Sequence, residues 1–482
     1  MTIPPPPRRW YHFRWWQILL LLIALLASWF GIYRWLGYRE LQAVLSEWDK
    51  LGRWRYADLI ANQQAEDHNS VSSWVLRQAR PIAWNEIVDE IVHFQPRENE
   101  PNLLLHADTI QYLRNRSSGW PTFLEQLKEL DAIPDKPGVG PLNRDPPWHV
   151  YCKYNEETSK VNLAIKEQLW LALQEKNVSL AMKLMRYNKR LALHLSSEPF
   201  ITNQMFGDSA LRSYLENMDV ALSQVEFTDQ QLKQLSTDLG NYDSRAVWQK
   251  YLIAEAGNTI HDLDHFSRPD VDILKEFGRQ KSNDAWERFK QYLLEFRIRA
   301  DLQSPFFRAE IMRSILNVYS QQEKPLFDLF RELDAQHDAL KKQRKDELDA
   351  KSISTPPVHY RLNTIMRQSA SWRCTQIALA AERFRLQHQR WPRTQDELIP
   401  QYLPAVLLDP FDDKPLRLIA VEDGLHIYSV VGSALDREFK DDGGDIQKTE
   451  EKYLTKDTGV ILWNPAHRRK PAKPLEKREE QE

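Results

Sequence analysis

The residues with the clearest potential for chemistry are four aspartates near the end of the sequence. Asp436, Asp441, Asp442 and Asp445 fall within ten residues, beside a pair of glycines. Calcium takes six to eight oxygen ligands, which aspartate carboxylates and loop carbonyls supply, and glycine allows the tight backbone that brings them together. The cluster therefore predicts a Ca²⁺ site. The alternative is a solvated acidic turn without metal.

A second candidate is the segment His261-Asp262-Leu263-Asp264-His265. Residues four apart share one face of a helix, so His261 and His265 could bind zinc, with Glu287 as a third ligand. Metallopeptidases of this kind place a glutamate after the first histidine as general base, and Asp262 is one methylene shorter. An exposed helix end before Arg268-Pro269 accounts for the same residues without metal.

Other chemistries lack their motifs. The sequence has no G-x-x-x-x-G-K-[ST] phosphate loop and no G-x-S-x-G nucleophile turn, and its net charge of −3 gives no basic field for nucleic acid. The two cysteines, Cys152 and Cys374, are too few for a zinc ribbon or an iron–sulfur site. They form either one disulfide or two buried thiols. Among the 17 tryptophans, Trp170, Trp248 and Trp286 lie in leucine-bearing helical patterns, which predicts core positions.

A membrane anchor is the clearest element that would position such sites. No charged residue occurs from Trp15 to Tyr33, and nineteen helical residues reach about 28 Å, close to the thickness of a hydrocarbon core. Aromatic residues lie near both ends of this run. A cleaved signal peptide would have a shorter apolar core that ends at small residues, and a buried core helix would rarely be free of charge. We therefore expect an uncleaved transmembrane helix over 15–35.

The charges that flank this span predict its orientation. Arg8, Arg9 and Arg14 precede it, while Arg34 and Arg39 follow it. The excess of arginine on the first side places the N-terminal tail in the cytoplasm. No second uncharged stretch approaches membrane length, so the remaining chain is expected to lie outside the cytoplasm.

The rest of the sequence is patterned mainly as helices up to about residue 360. Apolar residues recur at helical spacing from Thr158 to Leu195, and Thr228-Asp229-Gln230-Gln231 has the form of a capping box. Proline and glycine are dense from Asp131 to Trp148, which indicates a linker or long loop. A chain of 482 residues exceeds what one core usually supports, so two or three domains are expected.

The pattern changes in the last hundred residues before the tail. A long helix with small residues around Cys374 ends near Arg390-Trp391-Pro392, and Thr394 and Glu397 have capping-box spacing for a second, short helix. Two strands follow, Leu416–Val421 and Leu425–Val431, with Glu422-Asp423-Gly424 as the hairpin turn. The acidic cluster and the apolar run 460–463 come last.

This order of elements resembles the C-terminal domain of type II secretion major pseudopilins. The shared features are the long helix, the aromatic-Pro step, the turn at Asp409-Pro410-Phe411, the hairpin that ends in Tyr428-Ser429 and the acidic, glycine-bearing loop. The resemblance implies a small α+β domain outside the cytoplasm whose acidic loop binds calcium, with carbonyls near Val430 and Ser433 as further ligands. It also implies proximity to secretion machinery. The membrane helix lacks the family's Gly-Phe-Thr-Leu-x-Glu processing site.

Together these patterns predict a mainly α-helical protein with one N-terminal transmembrane helix and a small α+β C-terminal domain. The expected segments are a cytoplasmic tail (1–14), a transmembrane helix (15–35), a helical region (36–130), a linker (131–149), a helical domain (150–360), a pseudopilin-like domain (361–465) and a charged disordered tail (466–482). We expect a non-catalytic envelope scaffold or interaction protein of the bacterial inner membrane. It should contact lipid through residues 15–35 and bind an envelope protein partner. We expect it to bind neither nucleotide nor nucleic acid. The alternative is a membrane-tethered zinc hydrolase that uses His261 and His265.

Overall fold

The structure is a computed structural model that describes residues 15–50, 71, 74–75, 101–117, 123–133, 154–196, 201–273, 284–343, 358–430 and 458–472. Its helices are α1 (Trp15–Lys50), α2 (Ala107–Ser117), α3 (Phe123–Ala132), α4 (Tyr154–Gln174), α5 (Val178–Ser196), α6 (Ile201–Gln224), α7 (Asp229–Leu239), α8 (Ser244–Phe266), α9 (Ala285–Gln303), α10 (Pro305–Ser320), α11 (Leu326–Gln343) and α12 (Val358–His388). The strands are β1 (Arg417–Val421), β2 (Gly424–Tyr428) and β3 (Gly459–Trp463). The prediction of a mainly helical protein is confirmed.

The chain forms two compact units. The first comprises Met1–Asp58, Ala256–Ser320 and Asp346–Pro356, and the second comprises Leu59–Glu255, Gln321–Lys345 and Pro357–Glu482. Neither unit is continuous in sequence, because residues 256–320 join the N-terminal helix while the segments on either side of them belong to the second unit. The linker predicted at 131–149 lies outside the described residues from position 134 onward.

In the first unit, the C-terminal half of α1 packs against α10. Leu41, Val44 and Trp48 form a core cluster with Ala309, Met312, Ile315 and Leu316. The spacing of Leu41, Val44 and Trp48 places all three on one face of α1, which is the face that α10 covers. An ion pair between Glu40 and Arg313, with 2.8 Å from Oε1 to Nη2, lies beside the cluster.

In the second unit, α4, α5 and α6 pack on one another and supply a large apolar core. Ile165 and Leu169 of α4, Leu184 and Leu191 of α5, and Met218 of α6 are each fully or almost fully buried. Trp170 and Trp248 are also buried, which confirms the core prediction for those two tryptophans.

Helix α12 joins this helical core to the sheet. It contacts α6, α7 and α11, and it also packs against β2 and β3. The face toward the sheet carries small residues, Cys374, Ala378 and Ala381, all without solvent exposure. Small side chains let a helix approach a sheet closely, so the segment after residue 358 shares one core with the preceding helices.

The sheet has the order β1-β2-β3, with both pairs antiparallel. The predicted hairpin is present: Arg417 pairs with Tyr428 and Val421 with Gly424. Leu425 and Ile427 of β2 are buried and alternate with the half-buried His426, as expected for a strand with one covered face. A Cβ atom at Gly424 would lie 1.8 Å from the carbonyl oxygen of Leu462, so only glycine fits this close strand approach.

Side-chain caps fix several helix boundaries in the second unit. The predicted capping box at Thr228 is confirmed: the Gln231 backbone N–H donates to Thr228 Oγ1 and the Thr228 N–H donates to Gln231 Oε1. The capping box predicted at Thr394 and Glu397 was wrong. Residues Gln395–Leu398 form a single 3₁₀ turn, Thr394 makes no capping bond, and Glu397 instead accepts the N–H of Arg393 and pairs with Arg390.

The prediction of a disordered tail from residue 466 was wrong for residues 466–472, which are ordered. Arg468 is buried and pairs with Glu382 of α12, while its Nε donates to the Trp463 carbonyl at 2.9 Å. Arg469 donates to the carbonyls of Leu173 and Gln174, each at 2.8 Å, at the C-terminal end of α4. Apart from Trp463, the acceptors of these two arginines lie between nearly 90 and nearly 300 residues away in sequence. Local composition cannot indicate such partners. Residues 473–482 lie outside the described part of the chain.

Candidate functional site

One described helix, α1, is long and apolar enough to cross a membrane. Its most apolar window has a mean hydropathy of 1.9, and none of that window is buried within the protein. Large apolar side chains are exposed from Trp16 to Tyr38, and Trp29 is 71% exposed. An exposed run of this kind is costly in water, at about 25 cal/mol per Å² of apolar surface.

The same helix continues without a break into the folded unit. At 1.5 Å per residue its 36 residues extend about 54 Å, so the helix outreaches a hydrocarbon core of about 30 Å. The change from exposed to buried occurs at Gly37, where a Cβ atom would lie 2.9 Å from Cδ2 of Phe306. The ring of Phe306 also contacts Tyr33, with 4.8 Å between centroids. The apolar span and the first unit therefore share one rigid element.

The second feature with functional potential is the buried carboxylate of Asp409, in the turn before β1. Its Oδ1 accepts hydrogen bonds from the Phe411 N–H at 3.0 Å and the Ser429 hydroxyl at 2.8 Å. Its Oδ2 accepts from the Val430 N–H at 2.9 Å and from Arg417 at 2.7 Å. Asp409 has no solvent exposure, so one charge is fully compensated by four donors.

Arg417 joins Asp409 to a second carboxylate, Asp412. Burial opposes ionisation of Asp412, but the hydrogen bond from Arg417 and the bond from the Lys414 N–H outweigh burial, and the pKa of Asp412 is lowered. Burial likewise disfavours the charged form of Arg417, yet the bond to Asp412 and the nearby Asp409 charge raise its pKa. Asp412 and Arg417 are therefore ionised at neutral pH, and Arg417 bonds to both carboxylates.

This carboxylate cluster lies where the acidic segment begins and ends. The Ser429 N–H donates to the Thr458 carbonyl at 3.1 Å, so the two ends of residues 430–457 are held together. Asp409 holds the first end through Ser429 and Val430, and the Cys374 thiol lies 3.9 Å from the Thr458 carbonyl at the second. The predicted ligands Asp436, Asp441, Asp442 and Asp445 lie outside the described residues.

The two cysteines are also placed only in part. Cys374 is a free, fully buried thiol within the described residues, whereas Cys152 lies outside them. Burial is the main cause that raises the pKa of the Cys374 thiol, with a further contribution from the Asp409 charge. A thiol kept protonated in this way is a poor nucleophile, so Cys374 acts as a small core residue.

The histidine pair lies on α8, so His261 and His265 are one helical turn apart. His265 is buried, and the side chain of His261 is outside the described set. Between them, burial raises the pKa of Asp262 to about 7, and Asp264 pairs with Arg308 at 2.6 Å. Across the part of the chain that the structure describes, no group of three or more His, Cys, Asp or Glu side chains is arranged to hold a metal.

The core prediction for Trp286 was wrong, because this residue is 62% exposed on α9. The helical period correctly indicates an apolar face, but it does not indicate whether the protein covers that face. Sequence reasoning also missed Asp409 as a buried anchor, although the Asp-Pro-aromatic turn that contains it was visible. The missing information was the position of Ser429 and Val430, twenty residues away.

Comparison with known proteins gives no match: no family model fits the chain, and neither a curated protein nor a solved structure is similar to it. The conclusions that follow therefore depend on the contacts of this chain alone.

Proposed function

We propose that this chain is a single-pass protein of the bacterial inner membrane whose N-terminal tail is cytoplasmic and whose folded bulk lies outside the cytoplasm. In this proposal it is a non-catalytic scaffold or interaction protein of the cell envelope. The resemblance of its last hundred residues to pseudopilins suggests secretion machinery as the neighbourhood in which its protein partner is found.

The observation that carries the proposal is that the first half of α1 is apolar and exposed, whereas its second half packs against α10. A cleaved leader would not contribute core residues to the mature protein, whereas Leu41, Val44 and Trp48 are core residues on the same unbroken helix. A core helix of a soluble protein would have its apolar run covered, whereas this run is exposed. Both alternatives to an anchor are therefore disfavoured.

A non-catalytic role is supported by the way the buried charges are used. Asp409, Glu382 and Arg468 each have partners that fill their hydrogen-bonding capacity, and these partners are parts of the fold. Catalytic groups usually retain a face toward a cleft where substrate can approach. The buried ionic groups here connect segments that are distant in sequence, as a scaffold requires.

Membrane fractionation of the full chain tests the anchor. We expect the chain to remain in the membrane pellet after alkaline carbonate extraction. A double substitution Leu22→Arg/Leu25→Arg should release it, because each arginine at the centre of a span costs about 3 kcal/mol. The matched control is Leu193→Arg at an exposed leucine outside the span, which should leave the chain in the pellet. Release of the unaltered chain by carbonate would contradict the proposal.

Calcium binding by the acidic segment belongs to the same proposal. The fixed base formed by Asp409, Ser429 and Val430 holds both ends of this segment together, which favours convergence of Asp436, Asp441, Asp442 and Asp445. Calcium bound there would neutralise repelling carboxylates. At a hundredfold excess over Kd it would stabilise the protein by about 2.7 kcal/mol.

The full chain should be used to test calcium binding, because α12 and β3 share their core with α6 and a fragment 361–465 would lose it. We expect Ca²⁺ to raise the melting temperature, Mg²⁺ to do so poorly, and Asp442→Ala/Asp445→Ala to abolish the response. Identical melting with calcium and with a chelator would show that the segment is a solvated acidic turn.

A further inference from the structure

Helix α9 of the first unit presents a stripe of large apolar side chains to the outside. Trp286 and Tyr292 are each 62% exposed, Phe296 is 64% exposed, and Phe289 and Leu293 are nearly half exposed. These residues are three or four positions apart in sequence, so they occupy one face of the helix. The Trp286 and Phe289 rings stack with 5.7 Å between centroids, which makes the stripe continuous.

The opposite face of α9 already supplies the contacts that hold the helix in its unit. Ile298 and Leu302 are buried, and Arg299 donates to the Val271 carbonyl at 2.9 Å. At 100° per residue, Ile298 and Leu302 lie on the other side of the helix from Phe289 and Phe296. The outer stripe is therefore a second apolar face that the contacts of α9 with other described residues leave exposed.

The outer stripe is directly connected to the end of the membrane span. Ser304 alone separates α9 from α10, and it is extended (φ −69°, ψ 120°) because the following Pro305 disfavours helical geometry at the preceding residue. The Ser304 hydroxyl lies 3.5 Å from the Tyr33 hydroxyl, and Pro305 and Phe306 contact α1 at Gly37. The C-terminal end of α9 is thus fixed at the level where α1 leaves its apolar run.

Charge and residue type on α9 match a lipid headgroup region. Arg288 lies on one side of the stripe and Arg297 on the other, where they could reach anionic phosphates. Lys290, next to Arg297 on the helix, pairs with Glu287 at 2.7 Å. Tryptophan and tyrosine are the residues that favour the boundary between hydrocarbon and water. A surface for a second protein would need no such position beside the end of a membrane span.

We propose that the outer face of α9, formed by Trp286, Phe289, Tyr292, Leu293 and Phe296, lies in the headgroup region of the bilayer that α1 crosses. This inference rests on the proposed membrane anchor. It gives the first unit two attachments to the membrane, one spanning and one along the surface, joined at the Ser304 elbow. The rigid body that α1 forms with the first unit is then held at a fixed tilt in the membrane.

Photocrosslinking of the full chain in its native membrane tests this proposal. The photoreactive residue p-benzoylphenylalanine is placed at Leu293 in the stripe, at Glu287 on the polar side of α9, or at Leu25 in the span. We expect phospholipid adducts from positions 293 and 25, and no phospholipid adduct from position 287. Stable expression at wild-type level in the membrane fraction shows that each variant folds.

The three positions separate the two proposals. Lipid adducts at 25 but not at 293 would overturn the surface attachment and leave the anchor intact. Absence of lipid adducts at 25 would overturn the anchor itself. An adduct at 293 to protein instead of lipid, whether to a second copy or to another chain, would also overturn the inference, because the face would then be a protein docking surface.

Discussion

At the scale of single residues, buried charge controls how the C-terminal segment holds together. The Asp409 carboxylate accepts hydrogen bonds from four donors, and one of these donors, Arg417, also pairs with Asp412. Removing one member leaves the others buried without their partners, which costs far more than the pair itself contributes.

Replacement of Asp409 by alanine is therefore expected to destabilise the full chain by about 3–5 kcal/mol, because it leaves two backbone N–H groups and the Ser429 hydroxyl without an acceptor and removes one of the two carboxylates that pair with Arg417. Thermal melting in detergent measures the effect. Asp413→Asn is the control, since Asp413 is exposed in the same turn and asparagine tolerates its positive φ of 54°. Equal melting temperatures for the two variants would show that the Asp409 cluster does not hold the segment.

A second residue-scale prediction concerns Asp219 of α6. Burial is the main cause that raises the pKa of Asp219 to about 7, and the nearby Glu216 charge also raises it. A hydrogen bond from the Ile461 N–H of β3 acts in the opposite direction and lowers the pKa. In the unfolded chain an aspartate titrates near 3.9, so between about pH 4 and 7 only the folded state retains this proton. The contribution of Asp219 to stability therefore falls as pH rises across that window.

The variant Asp219→Asn keeps an acceptor for Ile461 and removes the titration. Its melting temperature should exceed that of the wild type at pH 8 and approach it at pH 4.5. Asp413→Asn, which removes an exposed carboxylate, should follow the wild type at both values. A constant difference between Asp219→Asn and wild type at all pH values would refute the assigned titration.

At the scale of elements, arginine and lysine side chains bond to the carbonyls at several helix C-termini. The chain has only 15 glycines, and helix C-termini leave carbonyls without intrahelical partners. Arg469 donates to such carbonyls of α4, Lys189 to the Leu239 carbonyl of α7 at 3.0 Å, and Arg308 to the Leu302 carbonyl of α9 at 2.8 Å. Each of these bonds also connects the helix to another segment.

The packing of α1 on α10 gives the sharpest test at this scale. Gly37→Leu would force a side chain against Pro305 and Phe306, and overpacking of this kind costs about 1–3 kcal/mol. Gly31→Leu is the matched control, because no atom lies within 4 Å of a Cβ at that position. We expect a lower melting temperature for Gly37→Leu only. Equal effects of both variants would argue against the α1–α10 contact.

The elements also show which features a sequence can predict. The Thr228 capping box was predictable because all its atoms lie within four residues, and the β1–β2 hairpin because its turn and alternation are local. The positions of Arg468 and Arg469 were not predictable, since their partners Glu382 and Leu173 are distant in sequence. Trp286 was misplaced because α9 has two apolar faces and periodicity alone does not distinguish them.

At the scale of the whole molecule, the described residues contain one candidate membrane helix, and the chain forms two units built from discontinuous segments. The second unit gathers residues from before and after 256–320, so its ends are joined by contacts such as the 2.9 Å bond between the Leu104 N–H and the Lys470 carbonyl. This bond brings Lys470 back to a segment more than 350 residues earlier. The second unit is therefore closed by a segment near the C-terminus.

The most direct test of the central claim is the location of the C-terminus. Fusions after Glu482 carry either alkaline phosphatase, which folds only outside the cytoplasm, or a fluorescent protein that matures only inside it. We expect an active phosphatase and a dark fluorescent fusion, because Arg8, Arg9 and Arg14 retain the N-terminal tail inside and α1 crosses once. A fluorescent C-terminal fusion with inactive phosphatase would contradict the proposed topology.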